Sequence, residues 1–206
     1  MKKTITLLHT SPVHIAPFKA LAKRIAPEVE LIQVVREDWL KQARKHGLRQ
    51  SLMEEVAATV QKSKGTVICT CTSLCPAAES AGAIRIDGPM MQEASRIGGP
   101  ILVVFALEST RKPTMELMNS ALLAADQEAE VVPLFLGEFW PLFEAGETEA
   151  FIACITTAVR HAVADHDIAC VTLAQASMAP AAERLTDLGI PVLTSPEMAF
   201  RAALDA

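Results

Sequence analysis

The chain has 206 residues, half of them apolar and 21% charged, with seven Phe, two Trp, no Tyr and a net charge of −5. This length suits one large α/β domain or two lobes of about 100 residues each, with ample material for a core. The acidic balance and the lack of a basic run argue against a nucleic-acid partner, and no apolar run approaches the roughly 20 residues of a membrane span.

The opening MKKTITLL resembles the start of a signal peptide, but its apolar run stops at His9-Thr10-Ser11-Pro12, short of the roughly 7–15 residues a leader needs. Five cysteines form an odd set without disulfide-like spacing. The expectation is a cytoplasmic protein with reduced thiols.

Strand-like and helix-like segments then alternate along the chain. TITLLH is a short β-rich run, and PFKALAKRIA has helical spacing opened by Pro17. VELIQVV reads as a strand. QSLMEEVAATVQKS reads as an amphipathic helix with Leu52, Val56 and Val60 on one face. GTVICT is wholly apolar or β-branched after its glycine, as inside a parallel sheet. PAAESAGA starts another helix and AIRI a fourth strand. The second half repeats the order: strand PILVVFAL, helix PTMELMNSALLAAD, strand AEVVPLFL, helix TEAFIACITTAVRHAVAD, strand IACVTLA, helix PAAERLTDLG, strand IPVLTS and closing helix PEMAFRAALD.

The halves correspond residue by residue. Ile5 and Pro17 match Ile101 and Pro113 at an offset of 96; Trp39 matches Trp140 at 101; Ser73, Pro76 and Glu79 match Ser177, Pro180 and Glu183 at 104; Met90 matches Met198 at 108. Alternating β and α elements with short connections give parallel sheets with right-handed crossovers. The expected fold is therefore α/β in two pseudo-symmetric lobes, each a short parallel sheet flanked by helices. The first lobe is 1–97 plus the C-terminal helix 196–206, and the second is 98–195. Ligands of such sheets bind beyond the carboxyl ends of the strands. The expectation is a cleft between the lobes, walled by Cys71-Thr72-Ser73 and Gln175-Ala176-Ser177.

Cys71 lies where a buried strand runs toward a helix near Pro76. Unpaired N–H groups and the positive helix end are expected to lower its pKa below the usual 8.5 or so, suiting an acid, a base or a nucleophile. The alternative is a small buried hydrophobe. Cys69 shares its face but lies deeper, Cys75 is a possible second thiol, and Cys154 and Cys170 read as packing residues. No fourth ligand joins Cys69, Cys71 and Cys75, so no metal site is expected. Gln175, at the position matching Cys71, is neither acid nor base near pH 7 but donates hydrogen bonds. Thr10, Ser11, Thr72, Ser73, Ser109, Thr110, Thr114 and Ser177 fall at or just after strand ends. Such hydroxyls, with loop N–H groups, hold an anion without arginine, or else cap helices. His9 and His14 are acid–base candidates or satisfied polar residues. Asp87 caps the next helix or polarises a neighbour. Gly98-Gly99 precedes a strand rather than following one, which excludes a phosphate loop.

HTSPVHIAPF, CTS, IRIDGPM, LESTRKPT and VTLAQASMA together resemble the aspartate/glutamate/hydantoin racemase superfamily over nearly the whole chain. The resemblance implies two α/β lobes, no pyridoxal phosphate or other cofactor, no metal, and a small carboxylate as substrate. It also implies a dimer or larger homo-oligomer. In that family a cysteine from each lobe flanks the carbon α to the carboxylate. The first falls here at Cys71. The second position reads Leu173-Ala174-Gln175-Ala176-Ser177-Met178, so this chain lacks the second thiol. By resemblance Cys71 is catalytic, and Thr10, Ser11, Thr72, Ser73, Ser109, Thr110, Thr114, Gln175, Ala176 and Ser177 bind substrate. The reading is a racemase-like isomerase working with one thiol. The alternatives are a decarboxylase or cis–trans isomerase of the same superfamily, or a carboxylate-binding protein without catalysis.

Overall fold

A computed structural model describes residues 2–206. β1 (Thr4–His9) is buried along nearly its whole length and leads through a 3-10 turn at Pro12–His14 into α1 (Ile15–Ile25). Ser11 caps that turn, its hydroxyl accepting from the Val13 N–H at 3.5 Å. His14 already has helical backbone angles, so α1 begins two residues before the Pro17 start expected from sequence.

β2 (Glu30–Val35) is followed by α2 (Glu37–His46), a helix to which the sequence analysis assigns nothing. Its ends complement the helix dipole: Glu37 and Asp38 stand in the first turn, and Arg44, Lys45 and His46 in the last. Trp39 and Ala43, one turn apart, are its buried residues. α3 (Gln50–Lys62) buries Leu52, Val56 and Val60, the stripe its spacing predicts. β3 (Thr66–Cys69), α4 (Cys75–Ser80) and β4 (Ile84–Arg85) follow, and α5 (Gly88–Ile97) follows them.

β5 (Ile101–Phe105) is wholly buried. α6 (Glu108–Ala124) begins five residues before the expected start at Pro113, because local bonds hold the extra turn. The Thr110 N–H and hydroxyl both donate to the Leu107 carbonyl, at 2.9 and 2.6 Å, and Arg111 pairs with Glu108 at 2.7 Å. β6 (Val131–Phe135), α7 (Trp140–Glu144), α8 (Thr148–Asp165) and β7 (Cys170–Leu173) come next. The helix expected over PAAERLTDLG is instead a 3-10 segment, Ala176–Arg184, with a further 3-10 turn at Thr186–Leu188. Pro180, inside it, has no N–H for an α-helical bond to Ala176, and the segment opens with the tighter bond from Met178 N–H to Gln175 C=O at 2.9 Å. Pro76 of the matching motif sits in the first turn of α4, where a proline is tolerated and an α-helix forms. β8 (Val192–Thr194) and α9 (Ser195–Asp205) close the chain.

The chain divides into two compact units. One runs to Pro89 and takes up Pro196–Ala206; the other is Met90–Ser195. Each holds a four-stranded, all-parallel sheet flanked by helices, in the orders β2-β1-β3-β4 and β6-β5-β7-β8. The registers also match: Ile5 pairs with Thr66 and Leu8 with Cys69, while Ile101 pairs with Cys170 and Val104 with Leu173. These pairings reproduce the offsets of 96 and 104 independently of residue identity.

The second unit's core joins Leu102, Val104, Val171 and Leu173 of the sheet to Phe151, Ile155 and Val159 of α8 and to Met178 and Leu185. Burying each large side chain contributes about 1.5–3 kcal/mol. Gly65, just before β3, has φ +66, and a Cβ there would stand 2.0 Å from the Thr4 carbonyl oxygen. Only glycine lets β3 approach β1 at that point. Among the described residues no helix is long and apolar enough to cross a membrane.

Candidate active site

In the first unit the register brings the candidate residues together. Leu8 and Cys69 are paired. Thr10 and Cys71 each lie two residues further on, and the Thr10 side chain hydrogen-bonds the Cys71 thiol. Past Cys71 the chain turns, with Leu74 and Cys75 N–H donating to the Cys71 carbonyl at 2.8 and 3.1 Å. The N–H groups of Ser73 and Leu74 stand near enough to the sulfur to favour its thiolate. Thr72 and Ser73 are buried in this turn, Thr10 and Ser11 are partly exposed, and Ser11 serves as the cap already described.

Cys71 is only 8% exposed. Burial pushes its thiol up to about 12, and Cys69 beside it adds to the rise. Thr10 and the N–H groups of Leu74 and Ser73 oppose the shift without reversing it. This corrects the lowered pKa expected from sequence. The local donors are where that argument places them, but removal of the thiolate from water outweighs them. Burial thus favours the protonated thiol, while Thr10 and the neighbouring N–H groups favour the thiolate.

Three of the other four thiols are buried. Cys69 and Cys75 are fully buried, and Cys75 Sγ donates to the Cys69 carbonyl at 3.4 Å. Burial raises the Cys75 pKa well above its ordinary value. Cys170 lies within β7, raised to about 11 by burial, and Cys154 is partly buried on α8. Among the described residues no group of three or more His, Cys, Asp or Glu is arranged to hold a metal ion.

His9, at the end of β1, is fully buried and bonded on both ring nitrogens. The Thr70 hydroxyl lies 2.8 Å from Nδ1 and also donates to the Leu8 carbonyl at 3.0 Å, which accepts from the Thr70 N–H as well. Nε2–H donates to Gln33 Oε1 at 3.0 Å, and Gln33 Nε2 donates to the Ile15 carbonyl at 3.3 Å. The Gln33 amide, so oriented, puts a proton on Nε2. Burial lowers the His9 pKa, partly offset by the Gln33 bond. His9 thus ties β1 to β2 and β3 immediately before Thr10 and Cys71. His14, whose ring centroid is 6.0 Å away, is pushed down to about 4 by burial and by His9.

Asp87 is fully buried, and both its oxygens accept from Arg85, Nε at 3.0 Å and the second guanidinium nitrogen at 3.2 Å. Glu79 stands 3.6 Å from the same guanidinium. Asp87, expected from sequence to cap a helix or polarise a neighbour, holds this arginine. The signal was available: residues two apart at a strand end share a face, and a buried carboxylate requires a cation or several donors.

In the second unit the same register pairs Val104 with Leu173, so Ala106 and Gln175 take the places that Thr10 and Cys71 hold in the first. These two are also bonded. Gln175 Oε1 accepts from the N–H groups of Ala106 and Leu107 at 2.5 and 3.1 Å. Gln175 and Ser177 are buried and Ala176 is partly so. On α6, Ser109 is partly exposed, Thr110 spends its hydroxyl on the Leu107 carbonyl, and Thr114 is fully buried. The hydroxyls of Thr114 and Ser177 are buried and have no hydrogen-bond partner among the described residues.

No protein-family model and no curated protein matches the chain. Among solved structures, the chain is similar to glutamate racemase from Francisella tularensis subsp. tularensis SCHU S4 in complex with D-glutamate. The TM-score is 0.71 at 11% identity, covering 99% of this chain and 80% of that one. It is similar to allantoin racemase from Klebsiella pneumoniae, with a TM-score of 0.68 at 15% identity over 98% of this chain and 86% of the other. It is also similar to unliganded arylmalonate decarboxylase, with a TM-score of 0.54 at 16% identity over 98% and 91%. The chain therefore has the two-lobed α/β fold of the racemases and decarboxylase of the superfamily its motifs resemble.

Proposed function

We propose that the protein is a cofactor-independent enzyme of the racemase type, acting at the carbon α to a carboxylate of a small acid or amino acid, with Cys71 as its one acid–base thiol. The observation that carries this reading is the placement of Cys71. It is a buried thiol, with Thr10 and the Ser73 and Leu74 N–H groups favouring its thiolate and burial favouring its protonated form, at the strand end where the motif resemblance places a catalytic cysteine.

Such a group is suited first to giving a proton. Loss of a proton or of CO2 beside a carboxylate leaves an enediolate, whose negative charge requires fixed donors. Thr72 and Ser73 in the Cys71 turn, with Thr10 and Ser11, are proposed as substrate-binding groups. Ser109, Thr110, Thr114, Gln175, Ala176 and Ser177 are proposed in the same role in the second unit. The unpartnered hydroxyls of Thr114 and Ser177 support this, because a buried hydroxyl without a partner costs stability that a ligand oxygen would restore.

Decarboxylation has a specific observation in its favour. The C–C bond to one carboxylate breaks, CO2 departs, and the electron pair is held as the enediolate. The Cys71 S–H then protonates the carbon, and water reprotonates the sulfur. The one step that uses the thiol, protonation of carbon, takes it in its protonated form, whereas racemisation starts from a thiolate and needs a second acid that Gln175 cannot supply. Five free thiols, four of them buried, support placement in a reducing compartment such as the cytoplasm.

The test is a panel of amino acids, hydantoins and substituted malonates in heavy water. NMR follows deuterium at the α-carbon and release of CO2. Turnover of one class, lost in Cys71→Ala with fold retained, supports the reading. No exchange or CO2 release across the panel, or turnover unaffected by Cys71→Ala, overturns it.

A further inference from the structure

Gln175 is a buried carboxamide whose two ends are in unlike circumstances. Its oxygen accepts from two consecutive backbone N–H groups, Ala106 and Leu107, at 2.5 and 3.1 Å. Backbone N–H groups only donate, so the carbonyl end must face them; the flipped amide would set donors against donors. The orientation is therefore locked, and the NH2 end points away from the pair. The residue as a whole is only 7% exposed, and Nε2 is not among the enclosed side-chain atoms that lack a partner.

We infer that Gln175 is a specificity-determining donor, which selects a substrate bearing a carboxylate or carbonyl oxygen at its amide nitrogen and rejects one bearing an ammonium group there. An amide whose oxygen accepts two hydrogen bonds is polarised, and its N–H groups become stronger donors. A carboxylate oxygen satisfies them. An ammonium group sets donor against donor and leaves both without an acceptor, which a site built to hydrogen-bond its substrate penalises more than the loss of apolar contact. This inference rests on the proposed action beside a carboxylate and narrows it: malonate-type diacids and ring carbonyls are favoured over α-amino acids.

Two substitutions separate the roles of the amide. Gln175→Glu keeps an oxygen for the Ala106 and Leu107 N–H groups and removes the donor. Gln175→Met removes donor and acceptor without adding charge. Titration calorimetry of malonate and of alanine is run on the full-length wild type and both variants, with thermal unfolding as the check on fold. Wild type is expected to prefer malonate. Both variants are expected to bind malonate about tenfold or more weakly, the size of a hydrogen bond to a charged group, and Gln175→Met is expected to leave alanine unchanged.

Equal malonate affinity in wild type and Gln175→Met overturns this inference alone, as does a wild-type preference for alanine over malonate. A wild type that binds neither ligand and turns over nothing in the heavy-water panel overturns the proposed function and this inference with it.

Discussion

The protonation state of Cys71 yields the sharpest prediction, and alkylation reads it directly. With a pKa of about 12, roughly 3 thiols in 100,000 are ionised at pH 7.5, against about one in ten for an ordinary thiol near 8.5. Ionisation alone thus slows attack on iodoacetamide by ~3,000-fold. Greater basicity returns part of this: with a Brønsted slope near 0.45, each thiolate is ~40-fold more nucleophilic. The net expectation is a Cys71 rate about 100-fold below that of the same residue in the urea-unfolded chain. The rate should climb about tenfold per pH unit from 7.5 to 10.5 without a plateau. A timed pulse, digestion and fragment-level mass spectrometry separate Cys71 from Cys69 and Cys75. Thr10→Val, which removes a hydroxyl that favours the thiolate, should slow the folded protein further. A Cys71 rate at or above the unfolded reference at pH 7.5, levelling off by pH 9, would refute the reasoning and return Cys71 to the role of a resting base.

Three further outcomes follow from buried groups. Arg85→Met strands the Asp87 carboxylate in the core and should cost about 3–5 kcal/mol in urea unfolding, while Arg85→Met with Asp87→Leu should recover much of that loss. His14, held down at about 4, and His9, also lowered, both stay neutral in the fold while the unfolded chain takes up protons near pH 6.5. Stability should therefore be full above pH 6.5 and fall as the pH drops toward 4, read as a decreasing urea midpoint at constant slope. Gly65→Ala should cost about 2 kcal/mol or more in thermal unfolding, since the left-handed backbone and the Thr4 carbonyl both oppose a Cβ.

Much of the architecture was legible because it is written in local periodicity. The Leu52–Val56–Val60 stripe, the apolar run of β3 and the drift of offsets between the halves anticipate the helices, parallel strands and repeated order. α2 went unassigned because its apolar positions are few; Trp39 and Ala43 form its whole buried face. The 3-10 path after Gln175 escaped detection because Ser-x-x-Pro-Ala-Ala-Glu occurs in both halves, and only the position of the proline within the bonded segment separates α4 from its counterpart.

Sequence by itself determined which residue types stand at the strand ends: a cysteine in one half, a glutamine in the other, with hydroxyls around both. Tertiary structure alone decided their states. Register placed Thr10 on the Cys71 thiol and the Ala106 and Leu107 N–H groups on the Gln175 oxygen. Burial outweighed the local donors and pushed the Cys71 thiol toward its protonated form. Donors and acceptors a few residues away can be read along a chain, but the withdrawal of water from a side chain is the sum of everything packed around it.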